Sequence, residues 1–270
     1  MSNSSARPTP LVGHPTALLE VQELSCRFGG LLALDRVSFS VQPGEIFGVI
    51  GPNGAGKTTL FNLISGVTPA TTGEVLWRGE PITALPTHRR NRLGVARTFQ
   101  NLRLFDGLSV LENLLVALQR QPRSTTLASL LNSPSHRQAE CQRLEQAWEL
   151  LEELGLAALA ERDAGTLAYG DRRRLEIARA LATRPQLLLL DEPAAGMNPS
   201  EKDSLCALIN ELRQRHQLTV MVIEHHVPLL MRLCERMAVL DFGMRIALGT
   251  PEEVRHDPKV IDAYLGGAVA

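Results

Sequence analysis

Lysine is scarce in this 270-residue chain: of 28 basic residues only Lys57, Lys202 and Lys259 carry an ammonium, and the rest are arginine. Lys57, inside a glycine-rich loop, is therefore not drawn from a lysine-rich background. Cysteine is also sparse. Cys26, Cys141, Cys206 and Cys234 are scattered, with no C-x-x-C and no paired histidine spacing. That argues against a zinc site or a disulfide framework and fits a reducing compartment. No apolar run approaches the ~18 residues that cross a bilayer. The opening M-S-N-S-S-A-R-P-T-P has no apolar signal-peptide core. With a net charge of −1 and a pI near 6.7, nothing points to a nucleic-acid partner. These absences lead us to expect a soluble, cytoplasmic chain, free to dock on a membrane protein.

Apolar residues make up 44% of the chain, enough for a packed core. Residues 1–16, rich in Ser, Pro and Thr, read as a disordered tail. L-L-E-V-Q-E-L and V-S-F-S-V then alternate apolar and polar, as half-buried antiparallel strands do. I-F-G-V-I (46–50) is a short buried run, followed by a helix over 57–65 that stops near Gly66. E-V-L-W-R-G reads as a strand closed by Gly79, and V-A-R-T-F-Q (95–100) as strand-like. Between 108 and 165 the spacing is helical, apart from a looser stretch at 121–137 that reads as a surface insertion. Strands and helices alternate again after that. L-L-L-L ends at Asp191, a helix over 200–215 takes Ser200 as its N-cap, and T-V-M-V-I ends at Glu224. M-A-V-L-D and M-R-I-A-L-G close the sheet, and a last helix starts at Pro251 behind Thr250. The order is that of an α/β core with a helical lobe inserted.

The loop after Ile50, G-P-N-G-A-G-K-T, matches G-x-x-x-x-G-K-[ST]. Its glycines let backbone N–H groups wrap a phosphate, and the following helix adds its positive end. Gly51, Asn53, Gly54, Ala55 and Gly56 are expected to cradle ATP. Lys57 would reach the β- and γ-phosphates, Thr58 would offer its hydroxyl to Mg²⁺, and Thr59 would touch the α-phosphate. Asp191, at the end of a buried strand, sits where an α/β sheet holds ligands and can bind Mg²⁺. Glu192 beside it can polarise an attacking water. Gln100 can contact the metal and that water, although a lone strand-end glutamine is ordinarily a solvated one. His225, beyond a second core strand, can reach a γ-phosphate, with His226 its solvated neighbour. In L-A-Y-G-D-R-R-R, Gly170 precedes a long helix; on its own this is an ordinary helix start with a solvated face at Arg172–Arg174. Phe28, in C-R-F-G-G, is read as a loop aromatic that could stack on adenine.

In this order the segments resemble the ATP-binding subunits of ABC transporters, over nearly the whole chain from about Ala17. G-P-N-G-A-G-K-T-T-L looks like the Walker A loop and L-L-L-L-D-E-P like Walker B with its catalytic Glu192. Gln100 matches the Q-loop, His225 the switch histidine and Phe28 the aromatic A-loop. L-A-Y-G-D stands where the family has L-S-G-G-Q: Ala168 replaces the Ser that meets the partner's γ-phosphate, Tyr169 a Gly and Asp171 the Gln. V-A-R-T-F-Q-N-L-R-L-F, L-D-E-P-A-A-G-M-N-P and the ending G-T-P-E-E-V…V-I-D-A-Y-L-G resemble the larger ATPase subunit of branched-chain amino-acid importers. Importers of amides or urea, and the lipopolysaccharide-export ATPase, share parts of the pattern.

The resemblance implies a P-loop NTPase (RecA-like) core, about 17–100 and 171–250, with an antiparallel β subdomain. A helical subdomain would occupy about 101–170 and a C-terminal helical extension 251–270. It implies ATP and Mg²⁺ as cofactors, and a second ATPase subunit or a second copy of this chain. Each ATP would lie between one phosphate loop and the other's signature segment, Ala168 and Gly170 included. It further implies two membrane permeases, a periplasmic solute-binding protein, and a peripheral place on the cytoplasmic face of the inner membrane. The motion would pass to the permeases through the helical lobe near Gln100, Leu104 and Phe105. A non-transport ATPase of DNA repair or translation would bring a second cassette, coiled-coil arms, zinc modules or a basic surface, none of which the sequence has. Glu192 directly after Asp191, with His225 and L-A-Y-G, argues against a general kinase or GTPase.

Overall fold

The computed structural model describes residues 17–119 and 134–265. The expected tail over 1–16 and the part of the insertion before residue 134 lie outside the described residues. Strands β1 (Leu19–Phe28) and β2 (Leu31–Val41) pair antiparallel, with Leu19 opposite Val41 and Phe28 opposite Leu31. Phe28 thus closes β1 rather than sitting in a loop behind it, because the turn needs only Gly29 and Gly30. Strand β4 (Thr72–Trp77) pairs with the other edge of β1 and with the two-residue β5 (Glu80–Pro81). The β4–β5 turn, Arg78 and Gly79, has φ of 52° and 83°, the two-residue turn whose twist matches the strands it joins.

The second sheet has the order β10-β9-β3-β8-β7-β6. It comprises β3 (Ile46–Ile50), β6 (Val95–Arg97), β7 (Leu187–Asp191), β8 (Thr219–Ile223), β9 (Arg236–Asp241) and β10 (Met244–Gly249). All neighbours are parallel except β9 and β10. Along β3, β7, β8 and β9 alternate residues enter two separate cores. Ile46, Leu188, Leu190, Val220, Val222 and Val239 pack with the helices, while Phe47, Val49, Leu189, Met221 and Leu240 pack toward the antiparallel sheet. Burial of both faces is why L-L-L-L and V-M-V-I are apolar throughout rather than alternating.

Helix α1 (Lys57–Ser65) ends at Gly66, whose φ of 75° closes it in the left-handed region. Its last carbonyls are met by a buried guanidinium. Arg90, in the short α2 (Thr87–Leu93), donates to Leu63 O at 2.5 Å and Ile64 O at 2.9 Å. Burial lowers the Arg90 pKa to about 10. Helices α3 (Val110–Leu118) and α4 (Pro134–Glu153) fall between β6 and β7, followed by α5 (Tyr169–Leu181). Leu114, Leu151 and Leu175 share the core on the helical side of the sheet. Helix α6 (Pro199–His216) is capped by Asn198, not Ser200. Asn198 and Glu201 form a capping box around Pro199, which suits the first helical position. Helix α7 (Val227–Leu233) follows β8, and α8 (Pro251–Arg255) starts behind Thr250 in a second capping box with Glu253. A further helix, α9 (Pro258–Leu265), follows it.

Strand β6 is shorter than V-A-R-T-F-Q suggests. The Thr98 N–H still bonds Leu189 O at 2.9 Å, but the Phe99 N–H goes to Glu176 Oε1 at 2.9 Å. The ladder therefore ends where a side chain of α5 takes the backbone donor.

Candidate functional site

Adjacent strands deliver the candidate residues to one edge. In register Val49 lies opposite Ile223 and Ile223 opposite Asp191, so β3, β8 and β7 end level with one another. The chain continues from β3 into the glycine-rich loop, from β8 into Glu224 and His225, and from β7 into Glu192. The C-terminal edge of parallel strands is where open α/β sheets hold ligands.

The loop from Gly51 to Gly56 is held by close backbone approach. A Cβ on Gly51 would stand 2.0 Å from Leu240 O, and one on Gly56 would stand 2.7 Å from Ala33 O. Gly243 donates to Ala55 O at 3.2 Å, so the β9–β10 turn braces the loop. Asn53, Gly54 and Thr58 are exposed and Thr59 is half-buried. No side chain caps the start of α1 and no acidic residue lies in its first turn, which leaves its positive end open to an anion. Lys57 is buried, and its Nζ donates to Gly51 O at 2.7 Å and Pro52 O at 2.8 Å. Burial lowers its pKa, with the carboxylates of Glu192 and Asp191 opposing.

Asp191 is buried, and its Oδ2 accepts from Arg97 Nη2 at 2.8 Å. Arg97 in turn reaches Asn62 Oδ1 at 2.7 Å and lies over the Phe61 and Phe99 rings. Desolvation lowers the Arg97 pKa, against the pull of Asp191. Asp191 Oδ1 is buried with no partner. An unpartnered carboxylate oxygen, a hydroxyl such as Thr58 and an amide such as Gln100 suit a hard, oxygen-seeking cation.

Glu192 has a left-handed φ of 49°, with its N–H tied to Ile223 O at 2.9 Å. Both its carboxylate oxygens are engaged. Oε2 accepts from Gln100 Nε2 at 2.8 Å, and Oε1 lies 2.5 Å from His225 Nε2. Gln100, Glu192 and His225, read separately from three distant segments, are thus brought into one cluster. Phe28 is half-exposed at the end of β1, and Ala168, the N-cap residue of α5, is exposed. A Cβ on Gly170 would meet no atom within 4 Å.

Three residues that sequence reasoning left without a role support the cluster. Arg97 is one. Glu224, buried behind His225, accepts from the Ala194 N–H at 2.6 Å and the His225 N–H at 3.2 Å. Burial raises its pKa, and these two donors oppose the rise. Arg173 corrects the expectation of a solvated arginine face, for it is fully buried. Its neighbours on the helix gave the signal: Arg173, Glu176, Ile177, Ala180 and Leu181 follow the spacing of a buried stripe.

Residues 34–195 match the ABC transporter family model, and residues 245–270 match the model for branched-chain amino acid ATP-binding cassette transporters. The chain is 50% identical over 251 residues to the high-affinity branched-chain amino acid transport ATP-binding protein BraF of Pseudomonas aeruginosa, covering 93% of this chain and 98% of BraF. It is 49% identical to the corresponding LivG of Escherichia coli K12, with the same coverage. Among solved structures, MJ1267, an ATP-binding cassette of an ABC transporter, superposes with a TM-score of 0.80 at 33% identity, covering 92% of this chain and 98% of that one.

Proposed function

The chain belongs to the ABC transporter family as an ATP-binding subunit, and from that premise we propose that it drives an importer of branched-chain amino acids. The observation that carries the solute class is the C-terminal match over residues 245–270, joined to an identity near one half with two such ATPases along almost their whole length. The observation that supports hydrolysis is the clustering of Gln100, Glu192 and His225 beside the phosphate loop.

ATP lies along the loop, with Gly51, Asn53, Gly54, Ala55 and Gly56 offering backbone to the phosphates and Phe28 beneath the adenine. Lys57 exchanges its contacts with the Gly51 and Pro52 carbonyls for the β- and γ-phosphates, and Thr59 meets the α-phosphate. Thr58, Gln100 and Asp191 would hold Mg²⁺, which neutralises charge on the phosphates. The free Oδ1 of Asp191 supports that assignment. Glu192 orients and polarises the attacking water, and His225 donates to the γ-phosphate as charge builds.

The second nucleotide-binding partner is another ATPase subunit or a second copy of this chain, which receives Ala168 and Gly170 against its own ATP. Binding drives the pair closed only to the extent that the closed form holds ATP better than the open one. The assembly includes two permeases and a periplasmic solute-binding protein, and this subunit sits peripherally on the cytoplasmic side of the membrane. No helix among the described residues is long and apolar enough to cross a bilayer.

The test is ATP hydrolysis by the full chain reconstituted in vesicles with its copurifying membrane subunits and their binding protein. Leucine, isoleucine or valine on the binding protein should stimulate turnover, and urea should not. Stimulation by urea alone, or by lipopolysaccharide alone, would reassign the solute.

A further inference from the structure

The guanidinium of Arg173 joins three chain segments that meet at the candidate catalytic edge. Its Nη1 donates to Phe99 O at 2.8 Å and to Glu176 Oε2 at 2.7 Å. Its Nη2 faces Gln100 O at 3.4 Å, Glu192 O at 3.2 Å and the Tyr169 hydroxyl at 3.2 Å. Glu176 completes the arrangement by accepting the Phe99 N–H at 2.9 Å. Burial of Glu176 disfavours its charge, and Arg173 and the Phe99 N–H oppose that. The segment after β6, the segment after β7 and the first turn of α5 therefore share one side chain.

We infer that Arg173 is a positioning residue that fixes the main chain of Gln100 relative to that of Glu192 and ties both to the first turn of α5. The β6–β7 ladder ends before either residue: its last paired positions are Arg97 and Leu189, with one further bond from Thr98. Beyond it the 2.8 Å contact between Gln100 Nε2 and Glu192 Oε2 depends on where two loop backbones are held. A planar fork of several donors can hold both carbonyls at once, whereas a lysine ammonium offers a single centre. A displacement of α5 at Tyr169 is thereby passed to the carbonyls of Gln100 and Glu192. Because Tyr169 lies between Ala168 and Gly170, the segment proposed to meet the partner's nucleotide is linked to this chain's own hydrolytic residues. The inference rests on the reading of Glu192 as the group that activates water.

Two variants test it in the assembled complex. Arg173→Lys keeps the charge beside Glu176, and the double variant Arg173→Met/Glu176→Met removes both charges and so avoids leaving one buried alone. Both should lower kcat by about tenfold or more while ATP affinity stays within about twofold, the pattern of an interaction expressed after binding. In a Glu192→Gln background, Arg173→Lys should slow the residual rate no further, because residues acting as a unit are not additive. Native kcat in Arg173→Lys overturns the inference. So does the same fold loss in the Glu192→Gln background, or failure of both variants to fold, which would make Arg173 purely structural. Near-native turnover in Glu192→Gln alone would instead overturn the reading of Glu192.

Discussion

His225 Nε2 and Glu192 Oε1 stand 2.5 Å apart across the ends of two adjacent parallel strands, while Gln100 Nε2 holds the other carboxylate oxygen at 2.8 Å. The carboxylate is oriented from two sides. His225→Ala and Gln100→Ala should each free one oxygen. Turnover should fall by about a hundred- to a thousandfold, the scale of a lost positioned proton-transfer or charge-stabilising group. Binding of a fluorescent ATP analogue should be nearly unchanged. Loss of binding in step with turnover would place these side chains in ground-state recognition instead.

Lys57 should set the pH dependence of nucleotide affinity. Burial holds its pKa below the ordinary lysine value in the free protein, and the phosphates of ATP should raise it again. Below the free-state pKa the ammonium is present in both states, so affinity is flat. Above that pKa, binding must take up a proton, and affinity declines as pH rises through the range below the ordinary lysine value. Equilibrium titration across that range should show the decline at a lower pH than for an ordinary lysine. A Lys57→Arg variant, whose charge persists, should lack it.

Arg97 and Asp191 form a buried ion pair whose loss should be felt in stability. Their side chains are 5% and 1% exposed, so Arg97→Met leaves a buried carboxylate uncompensated, at a cost of about 3–5 kcal/mol. Denaturant unfolding should show the loss, and it should shrink when Asp191→Asn is added. Equal losses with and without the second change would mean that Arg97 acts through Phe61, Phe99 and Asn62 rather than through Asp191.

Phe28 is half-exposed at the end of β1. If it lies under adenine, Phe28→Ala should cost about 1–3 kcal/mol of ATP affinity, the usual worth of base–aromatic stacking. Phe28→Trp should restore most of it. An unchanged dissociation constant in the alanine variant removes Phe28 from the nucleotide site.

Much of the fold was legible because the physics is local. I-F-G-V-I, L-L-L-L and T-V-M-V-I are buried on both faces, and the helix over 57–65 is bounded by glycines that a left-handed backbone requires. The sequence puts the cap of α6 at Ser200, two residues late; the Asn198–Glu201 capping box, with Pro199 inside it, sets the start instead. Helix α2 is not legible in the sequence because T-H-R-R-N-R-L has no apolar stripe, and the side chain it buries is Arg90. Helix α7, V-P-L-L-M-R-L, is a short apolar run whose period does not separate helix from strand. At the site, Gln100, Asp191, Glu192 and His225 could be named from strand ends. Arg97, Arg173 and Glu224 could not, because their partners, the Asp191 carboxylate, the Glu192 carbonyl and the Ala194 amide, are brought from distant segments.

The central claim is that Glu192, poised between Gln100 and His225, carries ATP hydrolysis. Its most direct test is a single-turnover measurement on Glu192→Gln assembled with its transport partners in the presence of Mg²⁺. The expected result is ATP bound with native affinity and retained unhydrolysed, with cleavage slowed by about a hundredfold or more. Cleavage of the bound ATP at close to the native rate would contradict the claim.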